Sequence, residues 1–256
     1  MQSVAVRLGL GLFGFCLVSG LVGSEGLAWA KGASHKKSPV VGMVTEGIAE
    51  RLGGSSKGGK KGKKKGSGDV GKTFNALCDG SLAQWKVSDL GDDGAWVGAF
   101  VGAARPKHCM LVDGSGAASG KHPNATPAQL TSAKSAATAA LTPKKGEAPK
   151  NVELVVFHDG EGFVAVAQVT TPSSNAKSNC LDHTALVVMS EQDGGGWKTV
   201  FRPQGKGKDV CGYSYFTHGD VDGDGRDEIA LRIDRGDGYG YRVIKRKKGS
   251  YDVLAR

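Results

Sequence analysis

The sequence predicts a mainly β fold: a small disulfide-bonded antiparallel β domain with one short Ala-rich helix, behind a disordered basic N-terminal tail. Three observations carry this reading. Residues 151–256 hold short runs of apolar residues separated by Gly- and Asp-rich turns, the pattern of half-buried strands. Four cysteines, Cys78, Cys109, Cys180 and Cys211, follow the N-terminal segment in two equally spaced pairs. One acidic turn, Asp220 to Glu228, runs directly into an apolar strand.

Residues 1–30 read as a secretory signal. Arg7 supplies a sparse basic start, Leu8 to Gly23 is apolar, and Ala28-Trp29-Ala30 has the form of a cleavage site. Cys16 lies within the apolar run, too early for lipidation, and would leave with the signal. An even number of cysteines in an exported chain implies disulfides, with three connectivities available. The spacing favours Cys78–Cys109 and Cys180–Cys211. Export places the chain in the periplasm, at the cell surface or in the medium, with no membrane span left after cleavage.

Residues 31–70 are expected to be a disordered Gly/Lys-rich basic tail, too poor in apolar residues to fold. Val40 to Leu52 is an island in it that could form a helical turn or two. Lys57, Lys60, Lys61, Lys63, Lys64 and Lys65 would attract an anionic surface or polymer. No aromatics interleave these lysines, so specific nucleic-acid binding is not expected. Gly66 to Thr73 matches the spacing of a phosphate-binding loop, but the lysines before it are no strand, and the mechanism needs one.

Residues 71–115 carry the first cysteine pair in short strands such as Trp85-Lys86-Val87 and Trp96 to Val101, with a turn at Asp92-Asp93-Gly94. In residues 116–150, Thr126-Pro127-Ala128-Gln129 forms a capping box with proline at the first helical position. A helix to about Leu141 follows, stopped by Pro143. Its thin apolar face suggests a surface helix or connector.

Residues 151–256 form the β-repeat domain. Strands are expected at Val152–Phe157, Phe163–Val169, Ala185–Met189, Trp197–Phe201, Tyr241–Ile244 and Tyr251–Leu254. The hairpins at 185–201 and 241–254 share a pattern, and each follows an apolar strand, at Phe163 and at Glu228. This reads as an internal repeat of about 65–70 residues. The earlier acidic loop, Asp159-Gly160-Glu161-Gly162, has too few ligands for its own ion.

Asp220, Asp222, Asp224 and Glu228 stand at loop positions 1, 3, 5 and 9, with Gly225 at 6. Side-chain oxygens at this spacing, with the backbone carbonyl of Arg226, suit Ca2+, which takes six to eight oxygens. An EF-hand is excluded: position 12 is Leu231, and Ile229, Leu231 and Ile233 alternate as a strand rather than a helix. Asp-x-Asp-x-Asp-Gly-x-x-Glu-Ile leading into a strand resembles the calcium loop of FG-GAP and VCBS repeats, the blades of integrin α-chain-like β-propellers. The resemblance is specific over Gly219 to Ile233, with Glu228 where the family usually has Asp. It implies propeller-blade-like repeats and a structural calcium ion. With one clear repeat and one degenerate one, too few for a closed propeller, the sheet is expected to be incomplete or open.

No catalytic constellation is visible. The histidines, His35, His108, His122, His158, His183 and His218, are scattered. His218 is a candidate neighbour of the acidic turn, with an ordinary surface histidine the blander expectation. Arg235-Gly236-Asp237 is an adhesion-type tripeptide that arises often by chance. The expected function is a calcium-stabilised binding or surface-interaction module of the cell envelope. The alternatives are a secreted hydrolase with an unrecognised active site and a polyanion binder working through its lysine tail.

Overall fold

The computed structural model describes residues 39–52, 67–103, 105–114, 117–118, 122–143, 146–173, 179–203 and 210–255. The expected signal segment 1–30 and the lysine run 57–65 lie outside the described residues.

The fold is mainly β. Its first part is a closed six-stranded antiparallel barrel made from β1 (Val40–Thr45), β2 (Ile48–Arg51), β3 (Thr73–Cys78), β4 (Ser81–Leu90), β5 (Trp96–Phe100) and β6 (His108–Val112), in the order β1-β2-β5-β4-β3-β6. Closure removes the free edges that a small sheet would otherwise expose. The inside is filled by Val44, Phe74, Ala76, Trp85, Val87, Trp96, Phe100 and Leu111, with Phe74 stacked on Trp96 at 4.8 Å. Gly98 leaves room for Trp85, because a Cβ there would strike that ring and the Lys86 carbonyl.

The barrel corrects the expected tail boundary. Val40–Arg51 is a β-hairpin inside the barrel, neither disordered nor helical. Composition averaged over the Gly- and Lys-rich surroundings hides its apolar residues. Val40, Met43, Val44 and Ala49 are each at most 3% exposed, and burial of that kind offsets the entropy of ordering the segment.

Next comes α1 (Pro127–Leu141), whose capping box is formed as expected: the Thr126 hydroxyl accepts from the Gln129 N–H, and the Gln129 side chain accepts from the Thr126 N–H. The helix is not a free connector. Ala133, Ala137 and Leu141 pack on the sheet that follows, and Trp197 donates from Nε1 to the Ser132 hydroxyl.

Eight strands complete the chain: β7 (Glu153–His158), β8 (Phe163–Pro172), β9 (Asp182–Glu191), β10 (Trp197–Phe201), β11 (Val210–Gly219), β12 (Glu228–Arg235), β13 (Gly238–Lys247) and β14 (Ser250–Ala255). They pair as two successive up-and-down meanders, β7 to β10 and β11 to β14. The meanders join where Gly212 of β11 lies parallel to Thr184 of β9.

The period-2 alternation of these strands builds a layered molecule. Ala165, Ala167, Val187 and Met189 face the helix. Val164, Val166, Leu186 and Val188, one residue out of phase, meet Ile229, Leu231, Ile233 and Ile244 of the second meander. Ala230 and Val243 point the other way and join Met43, Leu77, Met110 and Val112 on the outside of the barrel. The order is therefore helix, first meander, second meander, barrel. Disulfides join Cys78 to Cys109 across β3 and β6, and Cys180 to Cys211 beside the β9–β11 contact. Such bonds persist in oxidising compartments. Among the described residues no helix is long and apolar enough to cross a membrane.

Candidate metal centre

The acidic turn connects β11 to β12. It is anchored by Asp220, 3% exposed, whose carboxylate accepts N–H bonds from Gly223 (2.6 Å), Asp224 (3.1 Å) and Gly225 (2.8 Å). Three amide donors on one carboxylate curl the chain about it. Gly223 and Gly225 sit at φ 74° and 84°, left-handed conformations that glycine adopts without penalty.

The curl brings together Asp220, Asp222 and Asp224, whose ligand oxygens all lie within 4.8 Å of one another. Glu228, fully buried at the start of β12, turns back so that its Oε2 accepts the Val221 N–H at 2.9 Å. It meets the aspartates through a lysine from β13, outside the acidic turn and its spacing. The Lys245 ammonium of β13 lies 2.7 Å from Asp222 Oδ2, 2.8 Å from Asp224 Oδ2 and 3.1 Å from Glu228 Oε1. Arg226 is in the same turn, and its guanidinium leaves it to pair with Glu161 at 2.7 Å.

The electrostatics follow from burial. Desolvation pushes the Glu228 carboxyl up to about 7, against the opposing pull of the Val221 N–H and Lys245. Burial also works against the Lys245 ammonium, but hydrogen bonds to Asp222 and Asp224 outweigh it, and its pKa rises. The turn is thus a set of hard oxygen donors held about the Lys245 ammonium, and Asp220, Asp222 and Asp224 are the residues that could hold a metal ion.

The second acidic loop, between β7 and β8, packs directly on the first. Asp227 donates its N–H to the Asp159 carbonyl at 3.0 Å. Gly160 (φ 94°) lies so close to Gly225 that a Cβ would collide with the Gly225 carbonyl oxygen. Asp159 is itself neutralised from within the protein: Arg246 Nε lies 3.0 Å from its Oδ2, which also accepts the Tyr251 hydroxyl at 3.0 Å.

His218, expected near the turn, is 6% exposed and faces away from the aspartates into a cavity of about 430 Å³. Asp79, Gly80, His122, Phe157, His158 and Asp227 line it too. Burial lowers the His218 pKa to about 4 and raises that of Asp227 to about 6. Asp227 was invisible as a site residue because it reads as one more acidic loop position. His122 reaches the cavity through long-range packing, its segment tied in by the Ala118 N–H donating to the Asp220 carbonyl at 3.1 Å. Asp182 and His183, adjacent in sequence, lie elsewhere on β9, where His183 Nε2 is 3.2 Å from the Ser173 hydroxyl. Comparison with models of protein families, with curated proteins and with solved structures finds no match.

Proposed function

We propose that this is an exported, calcium-stabilised β protein that serves as a binding or surface-interaction module in the cell envelope. The observation that carries the reading is the convergence of Asp220, Asp222 and Asp224 on one glycine-rich turn, with Glu228 linked to them by the Lys245 ammonium. Four carboxylates in one turn repel each other, and the single lysine offsets only part of their charge. Ca2+ is the physiological divalent cation best matched to carboxylate and carbonyl oxygens in a pliable loop. Its binding would displace the lysine and lock β11 to β12, so that binding energy becomes folding energy.

The resemblance of Gly219 to Ile233 to FG-GAP and VCBS repeats points the same way. The two four-stranded meanders with acidic loops at matching positions are consistent with a pair of blade-like repeats, and the disulfides with export. Lys57 to Lys65 would then hold the domain near anionic envelope polymers.

The test is thermal unfolding of residues 31–256 with excess calcium and with chelator, beside the Asp222→Ala, Asp224→Ala double variant. At a calcium concentration about 100 times Kd the stabilisation is about 2.7 kcal/mol. For a domain of this size that is a rise in Tm of roughly 5–10 °C. The double variant should lose it. An unmutated chain that melts identically in calcium and chelator would rule out the stapling role.

A further inference from the structure

The acidic turn offers only oxygen donors, but the cavity behind it holds different chemistry. Three polar groups converge there without hydrogen bonds to one another. The Asp227 side chain is 1% exposed, and neither carboxylate oxygen has a hydrogen-bond partner. His122 Nε2, also buried and without one, lies 3.8 Å from Asp227 Oδ1. His218 Nε2 lies 3.6 Å from Asp227 Oδ2. A buried carboxylate left in this state costs several kcal/mol unless a cation or proton meets it.

The surroundings determine which ring nitrogen of His218 is bare. The Tyr215 hydroxyl donates its one proton to Asp79 Oδ1 at 2.7 Å. Its oxygen is 2.6 Å from His218 Nδ1, so it can only accept, and Nδ1 carries the proton. Neutral His218 therefore points the Nε2 lone pair at the Asp227 carboxylate, and two acceptors face each other. Phe157 stacks on the imidazole at 3.7 Å between centroids and fixes the ring plane. Gly80 keeps the adjoining space open, since a Cβ there would sit 3.2 Å from His218 Nε2 and 3.7 Å from Asp227 Oδ2.

We propose that His122 Nε2, His218 Nε2 and Asp227 form a second, distinct site for a zinc-class divalent ion, with the fourth coordination position open to the cavity. Two imidazoles and one carboxylate suit a borderline d-block ion rather than calcium. Bonds of about 2.0–2.1 Å at tetrahedral angles set neighbouring ligand atoms about 3.3 Å apart. The two observed approaches, 3.8 Å from His122 Nε2 to Asp227 Oδ1 and 3.6 Å from His218 Nε2 to Asp227 Oδ2, are to the two different oxygens of one carboxylate, so the imidazoles must swing toward each other for one ion to take all three ligands. The chain His218 Nδ1–H to Tyr215 to Asp79 is the outer support that orients a metal-binding imidazole. The open position leaves room for water or a small anionic ligand.

The test is a cobalt(II) titration of the purified protein in saturating calcium, which fills the acidic turn, read by visible d–d absorption. One equivalent should bind with the intense bands of a four-coordinate nitrogen-ligated ion, and one equivalent of zinc should bleach them. His122→Ala removes a ligand on the cavity wall and should weaken binding by more than about 100-fold, with the circular dichroism spectrum unchanged. Tyr215→Phe, which breaks the outer support, should cost about 10–100-fold. The Asp222→Ala, Asp224→Ala variant should bind cobalt as the parent does. Absence of the bands in the parent, or binding that survives His122→Ala and is lost in the aspartate variant, overturns the assignment.

Discussion

Lys245→Met tests whether the acidic turn is organised about a positive charge. Methionine keeps the aliphatic stem and removes the ammonium. The loss can be worked from the three contacts. Asp222 and Asp224 side chains are 39% and 41% exposed, so solvent screens their pairs and each is worth at most about 1 kcal/mol. Glu228 is fully buried, and a buried charge stripped of its partner costs about 3–5 kcal/mol, less whatever protonation recovers. Lys245 itself holds the Glu228 carboxyl down at about 7, so without the ammonium the carboxyl rises further and protonation is open to the variant at pH 8 as well as at pH 6. The ionised parent then keeps over the protonated variant only the interval between about 7 and the ambient pH, about 1.4 kcal/mol at pH 8 and nothing at pH 6. At pH 8 in chelator the variant should therefore lose about 1–3 kcal/mol, a fall in Tm of roughly 2–12 °C. At pH 6 the loss should be visibly smaller. Calcium should then stabilise the variant more than the parent, since no tethered ammonium competes for the turn. The assay is scanning calorimetry of both proteins in chelator and in calcium at both pH values. A variant that melts within about 1 °C of the parent in chelator at pH 8, or that gains less from calcium, refutes the reasoning.

Three further outcomes are expected. Glu228 has a folded-state pKa raised above its ordinary 4.5, so its contribution to stability is complete below about 4.5 and is lost as pH rises through about 7. In chelator, Glu228→Gln should therefore gain on the parent between about pH 5 and 7 and level off above that in denaturant unfolding, while in calcium it should bind the ion more weakly at every pH. Replacing both Cys78 and Cys109 by alanine opens a loop of 31 residues and should cost about 3–4 kcal/mol in the same assay, on the loop-entropy account. Gly160→Ala forces a left-handed residue against the Gly225 carbonyl; it should separate the two acidic loops, cost more than about 2 kcal/mol and lower calcium affinity, as read by calorimetric titration.

The meanders were legible because local pattern dictates them. Phe163 to Val169 is an apolar run rich in valine and bounded by glycine turns, Ile229, Leu231 and Ile233 recur at every second residue, Trp197 and Tyr251 each stand at the start of a strand after a glycine turn, and Thr126 to Gln129 spells the helix cap in four residues. The barrel was not legible as a barrel. Its closing pairs, Val44 with Cys109 and Ala49 with Trp96, depend on long-range register, which no local window contains. β11 escaped notice because Tyr213 and Phe216 are buried in different layers, so no single apolar stripe marks it. At the acidic turn the spacing foretold the convergence of three aspartates. It could not foretell that Lys245, from β13, would sit between Asp222 and Glu228, or that Asp227 would turn its carboxylate toward His218 and toward His122, far away in sequence.

The closed barrel also has a consequence in time. β1 leaves the ribosome before the other strands described, yet its partner β6 emerges only with Val112, and β2 must wait for Trp96. Until then Val40, Met43 and Val44 have no permanent partner, and the hairpin is a loose stave in a vessel whose hoop is fitted last. Pairings this distant along the chain raise the contact order and slow folding. The waiting hairpin is the segment most in need of shielding by a chaperone during that delay.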